Sequence, residues 1–222
     1  MMKGGFKMSK KIALGAAGVD EQAFQTWGER AVGKENTKRW QNGKELLDHL
    51  IAASRDDCIE KVYIFSHAWG YSTSGNRGGV KLGGYDIAGF YLQPQIYDHD
   101  DARYIRDLAR LIAQGSVRFC PESEIILTGC RVASSPFPQA LAKVTESTVI
   151  ASNGSSYPKP GDPPGDITGE WMSGVGGWEE QQAAKQGHYV GWIRYDYNRT
   201  TGEVTETEIG RKVDNGYLID IY

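Results

Sequence analysis

The chain has 222 residues, 40% hydrophobic and 24% charged, enough for one generous domain or two small ones around a real core. Lys and Arg number 25 against 28 Asp and Glu, a net charge of −3. A general phosphate-backbone binder needs a positive footprint that this balance lacks, and no apolar run approaches the ~20 residues of a bilayer span.

The first two-thirds alternates strand-like and helix-like segments. A strand is expected over Ile12–Val19, followed by a helix capped by Asp20 and running to about Val32, with Ala23, Trp27 and Ala31 at four-residue spacing. Asn42 caps a second helix with Leu46, Leu47, Leu50 and Ile51 on one face. Lys61–Ser66 reads as a buried parallel strand. Gly-rich sequence from Gly70 to Gly84 leads into a strand pair or hairpin ending near Tyr91. The clearest helix is Asp100–Gln114, with Ile105, Leu108, Ala109 and Ile112 in register and Gly115 placed to stop it. A strand over Glu124–Thr128, a helix over Phe137–Glu146 and a strand over Thr148–Ala151 follow.

From Asn153 to Gly169, four prolines and four glycines predict a long exposed loop. Beyond it, Tyr189–Asn198 and Gly202–Ile209 read as a hairpin. The final residues extend the sheet or cover one edge. Alternation at this pace predicts one α/β domain over 1–222 with a mostly parallel sheet. Its core covers about 11–152, with a loop over 153–170 and an aromatic β extension over 171–222.

Three cysteines, Cys58, Cys120 and Cys130, are too few and too unevenly spaced for a disulfide scaffold. No CxxC pair points to zinc, and an odd count leaves one thiol free. Packing accounts for Cys58 and Cys120, which fall on the approaches to strands. Cys130 falls just past the strand Ile125–Thr128, behind Gly129, and His67 directly follows the strand Val62–Ser66. Open α/β sheets bind ligands beyond the carboxyl ends of their strands. If the two strands are parallel neighbours, His67 and Cys130 emerge on one edge. There an imidazole can take the thiol's proton and later protonate a leaving group.

Val62-Tyr-Ile-Phe-Ser-His-Ala-Trp-Gly70 and Glu124-Ile-Ile-Leu-Thr-Gly-Cys-Arg-Val-Ala133 resemble the histidine and cysteine motifs of caspase-like cysteine peptidases. That superfamily includes caspases, gingipains, legumains, CHAT domains and the self-cleaving domains of bacterial toxins. Leu141–Ser152 resembles the helix and strand that follow the cysteine in bacterial members. The resemblance covers roughly Lys11–Ser152 and implies a three-layer sandwich with a C-terminal β-hairpin extension. It further implies a cysteine hydrolase of amide bonds, with Cys130 as nucleophile and His67 as general base and acid. No cofactor or metal is implied. The family usually has glycine right after the histidine, where backbone helps form the oxyanion hole. Here Ala68 and Trp69 intervene before Gly70, so the donors are sought at the Gly129–Cys130 backbone and between Ala68 and Gly70. Asp86, or an acid among Asp98–Asp101, is the candidate to orient His67; Asp86 and Arg131 are candidates to read substrate charge.

Other constellations compete. An α/β-hydrolase elbow at Thr128–Val132 is disfavoured by the bulk of Val132. Cys-before-His pairings join Cys58 to His67 or Cys130 to His188. Tyr97–Asp101 offers metal ligands but fits helix capping better. His49 lies on a solvent-facing helix position. The aromatic cluster Trp171, Trp178, Tyr189, Trp192, Tyr195 and Tyr197 fits core packing better than a peptide or sugar groove. Lys3, Lys7, Lys10 and Lys11 before a short apolar stretch imitate a signal peptide weakly. The chain is therefore expected in the producer's cytoplasm, or exported without a clear cleavable signal. A protein or peptide substrate, peptidoglycan peptides included, and an immunity or inhibitor protein are the expected partners. A catalytically inactive binding module is the rival reading.

Overall fold

The computed structural model describes residues 10–69, 78–83, 87–160 and 167–222. In chain order come β1 (Lys10–Ala16), α1 (Glu21–Val32), β2 (Thr37–Trp40), α2 (Gly43–Ala53), β3 (Ile59–Phe65) and β4 (His67–Trp69). Next are β5 (Gly79–Lys81), β6 (Phe90–Tyr91), β7 (Arg103–Tyr104), α3 (Ile105–Ala113) and β8 (Phe119–Leu127). Then follow α4 (Phe137–Thr145), β9 (Thr148–Ser152), β10 (Ser155–Pro160), β11 (Ile167–Gly174) and α5 (Trp178–Lys185). The chain closes with β12 (Trp192–Tyr197), β13 (Val204–Ile209), β14 (Arg211–Val213) and β15 (Gly216–Asp220).

The main sheet has seven strands in the order β13-β12-β9-β8-β3-β1-β2. The five strands from β9 to β2 are parallel, and β12 and β13 are antiparallel. Side chains alternate between two faces, as the strand period of two requires. Leu14, Val62, Ile64, Ile125, Leu127, Val149 and Ala151 meet Leu46 and Leu50 of α2, Leu108 of α3, and Phe137 and Leu141 of α4. On the other face Ala13, Tyr63, Phe65, Ile126 and Ile150 meet Trp171, Trp192 and Ile221, with Phe24 and Trp27 of α1 packed alongside. The fold is α/β, with a mixed, largely parallel sheet between two covering layers.

A second, antiparallel sheet, β10-β11-β15-β14, supplies much of the second covering layer. The C-terminal strand β15 therefore covers a face of the main sheet rather than extending it. The stretch from 153 to 169, expected to hold no regular structure, forms β10 and the start of β11 on either side of residues 161–166, which lie outside the described residues. β10 lies at an edge, and an edge strand tolerates Pro158 and Pro160 where a central one would not. A small sheet, β4-β5-β6-β7, grows from the end of β3.

Three further expectations need correction. β1 begins at Lys10 and ends at Ala16, which leaves Ala17–Asp20 as its exit turn. α3 starts at Ile105, its first turn closed by the Tyr104 N–H donating to Asp107, so Asp98–Asp101 do not cap it. Cys58 and Cys120 are joined in a disulfide across 62 residues. Folding brings together the entry ends of β3 and β8, which the spacing in sequence could not reveal. Cys130 is the free cysteine.

Candidate active site

β3 and β8 are hydrogen-bonded parallel neighbours, with Val62 opposite Ile125 and Ile64 opposite Leu127. The ladder continues through the Thr128 N–H, which donates to the Ile64 carbonyl at 3.2 Å. His67 lies three residues past Ile64 and Cys130 three past Leu127, so the two stand at equivalent positions beyond the same sheet edge. Gly129 makes the approach possible. A Cβ at 129 would lie 2.5 Å from the Ala68 Cβ and 3.2 Å from the Ala68 nitrogen, so only a residue without a side chain fits between the two exits. Gly129→Ala is expected to force the exits apart and destabilise the fold by about 1–3 kcal/mol, read from a urea melt.

His67 opens β4 and its ring is held on several sides. Phe24 of α1 packs edge-on at 5.4 Å between ring centres. Gly83 leaves only enough room for the ring's Cδ2 and for Val19. Nε2 is buried with no hydrogen bond among the described residues, and Asp20 Oδ2 approaches it to 3.3 Å without hydrogen-bond alignment. Asp20 was expected to cap α1. It instead takes a left-handed backbone at φ 63°, and its side chain makes no capping bond. Glu21 instead ties down the turn before the helix, accepting from the Gly18 N–H at 3.0 Å. Of the acids proposed beside His67, Asp86 lies outside the described residues. Asp98 serves its own loop, accepting from the Gln95 N–H and the Tyr104 hydroxyl. His99 and Asp101 pin the same loop through the Asp101 N–H.

Cys130 is exposed, and Ser156 of β10 holds its sulfur. The Ser156 N–H donates to Sγ at 3.2 Å, and the thiol faces the Ser156 carbonyl at 3.7 Å. Among the described residues the thiol and the imidazole share no hydrogen bond. Crowding around the sulfur pushes the thiol above its ordinary range. The Ser156 N–H opposes that rise, the negative charge of Glu180 adds to it, and Arg131 opposes it. The Ser66 and Ser156 hydroxyl oxygens, like the His67 Nε2, are buried without a hydrogen-bond partner among the described residues. Such orphaned groups are uncommon and mark places where a ligand or water belongs.

Arg131, the residue after the thiol, takes a left-handed backbone at φ 57° and donates its N–H to the Gly154 carbonyl at 2.9 Å. Its Nε lies 3.8 Å from Glu180 Oε1. Glu180 is buried and accepts from the Gly177 N–H at 2.8 Å. Glu180→Gln keeps an acceptor for Gly177 while removing one charge that disfavours the thiolate. Alkylation of Cys130 at pH 8 is expected to rise, because a negative charge that opposes the thiolate is gone.

The oxyanion donors stand unequally. The Cys130 backbone is at the site, and Ala68 and Trp69 are paired with Val80 and Gly79 of β5. Gly70 lies outside the described residues. Of the competing constellations, Cys58 is spent in the disulfide. His188 lines a separate cavity of about 390 Å³ with Tyr189, Lys212 and Tyr217. Trp171, Trp192 and Tyr195 are core, Tyr189 packs on Tyr217, and Trp178 is exposed. His49 Nε2 pairs with the Arg39 carbonyl.

Sequence reasoning missed Asp20, Ser156 and Glu180. Asp20 carried a signal, a polar residue at a strand exit behind Gly18, but the helix that follows invited the capping reading. Ser156 sat inside the proline-rich stretch, and Glu180 had no local signal.

Comparisons of the chain with protein-family models, curated proteins and solved structures find no match. Among the described residues no three His, Cys, Asp or Glu side chains stand together as metal ligands, and no helix is long and apolar enough to cross a membrane.

Proposed function

We propose that the chain is a caspase-like cysteine hydrolase that cleaves an amide bond, with Cys130 as nucleophile and His67 as general base and then acid. The observation that carries this reading is the equivalent placement of His67 and Cys130 at the exits of adjacent parallel strands. The Cys130 thiol passes its proton to His67 as the sulfur attacks the carbonyl carbon. The C–N bond breaks as His67 returns that proton to the departing amine, and water then hydrolyses the thioester. The Cys130 N–H stabilises the oxyanion, with a partner donor between Ala68 and Gly70.

At rest the thiol is protonated and engaged by Ser156. Productive binding therefore includes release of Sγ from β10 and its capture by His67. The same observation favours the rival reading, an inactive caspase-like module that binds a partner. The Cys58–Cys120 disulfide supports work in an oxidising compartment, hence an exported role as a toxin or effector against protein or peptidoglycan peptides, restrained by an immunity or inhibitor protein.

Iodoacetamide alkylation of the native chain, followed by peptide mapping across pH, decides between the readings. Raised by the atoms crowded around its sulfur, the thiol of an inactive module reacts only as the pH climbs above the ordinary cysteine range, and His67→Ala changes nothing. A working dyad gives alkylation near neutral pH that His67→Ala slows by tenfold or more, about the contribution of a positioned base.

A further inference from the structure

We infer that Asp20 is the positioning residue for His67, setting which ring nitrogen carries the proton; this rests on the dyad reading above. Three features converge on it. Nε2 of His67 is buried and makes no hydrogen bond among the described residues, yet a buried ring N–H needs an acceptor. Asp20 Oδ2 is the carboxylate oxygen at 3.3 Å from that nitrogen. The side chain is also withheld from the use its position invites, since α1 is entered without a capping bond from Asp20. Asp20 adopts φ 63° here, a left-handed conformation that aspartate and asparagine reach more readily than other non-glycine residues.

The consequence is a defined tautomer. With Nε2–H directed at the carboxylate, Nδ1 is left as the basic nitrogen, and Phe24 on the ring's edge resists the flip that would exchange them. A rotation of the Asp20 side chain, which is 59% exposed, completes the hydrogen bond when the imidazole becomes charged. A buried acid in this role contributes up to about 10⁴ in rate. For an acid this exposed we expect about tenfold, because solvent shares the work.

Asp20→Asn is the decisive variant, since asparagine tolerates the left-handed backbone and removes only the charge. Asp20→Gly controls for the backbone itself. The readout is the ¹⁵N shifts of His67 in the full-length chain at pH 8, assigned against His67→Ala among the four histidines, together with the iodoacetamide rate at Cys130. The expected result is a wild-type ring protonated on Nε2, a shift toward the Nδ1–H form in Asp20→Asn and Asp20→Gly, and a fall of about tenfold in alkylation. Unchanged nitrogen shifts in both variants overturn the inference, whatever the alkylation shows. If His67→Ala itself leaves Cys130 reactivity untouched, the dyad reading fails, and the nitrogen shifts still decide whether Asp20 sets the ring.

Discussion

Cys130→Ala is expected to abolish amide hydrolysis, a loss of at least about 10³ in kcat/KM measured over a panel of peptide and cell-wall substrates. Removing a covalent nucleophile leaves only the residual stabilisation from bound geometry and oxyanion donors. The substitution removes only the sulfur and its Ser156 contacts at an exposed position, so the melting temperature should fall by no more than a few degrees. A loss of activity without a loss of stability would then belong to the chemistry. Cys130→Ser provides a sharper version, because it keeps the Ser156 contacts while replacing the thiol by a far poorer nucleophile. Activity retained in either variant would remove Cys130 from the mechanism, and with it the proposed role of His67.

The second large effect concerns the disulfide. Replacing Cys58 and Cys120 together by alanine is expected to cost up to about 4 kcal/mol, the chain-entropy value for closing a loop of 62 residues. For a chain of this size that lowers the melting temperature by roughly 10 °C. Substitution is preferable to a reductant, which would also act on Cys130. The bond joins the entry ends of β3 and β8, and the irregular register between Phe119 and Glu124 follows at once, with Glu122 at φ 65°. Hydrogen exchange should therefore accelerate first around Phe119–Ser123, while Lys61–Ile64 and Glu124–Leu127 keep their ladder. A drop well below 2 kcal/mol would mean that the unfolded chain already holds these segments together.

The strands that carry the candidate site were legible because buried parallel strands read as unbroken apolar runs, and Val62–Phe65 and Ile125–Leu127 do so. Their carboxyl ends could be named from sequence, and with them His67 and Cys130. What the sequence withheld was contact across the chain. Nothing local to Cys58 or Cys120 announces that the two strand entries touch. Nothing in the proline-rich stretch announces that Ser156 will lie on the thiol, since proline argues against a strand until the strand is known to be an edge. Asp20 was visible, but an aspartate before a helix reads first as its cap, and here it makes no capping bond. The Asp98–Asp101 cluster misled for a related reason: Asp98, His99 and Asp101 hold a turn that ends before the helix begins.

The two outer strands of the main sheet carry opposite charges. β13 exposes Glu206 and Glu208 along one border, and β2 exposes Lys38 and Arg39 along the other. A border strand with acids at alternate positions resists pairing with its own copy, because like charges would face one another across the new ladder. The opposite border is four residues long, too short to template much. The seven-stranded sheet is thus bordered by like charges at one limit and by a short strand at the other, while His67 and Cys130 follow strands well inside it.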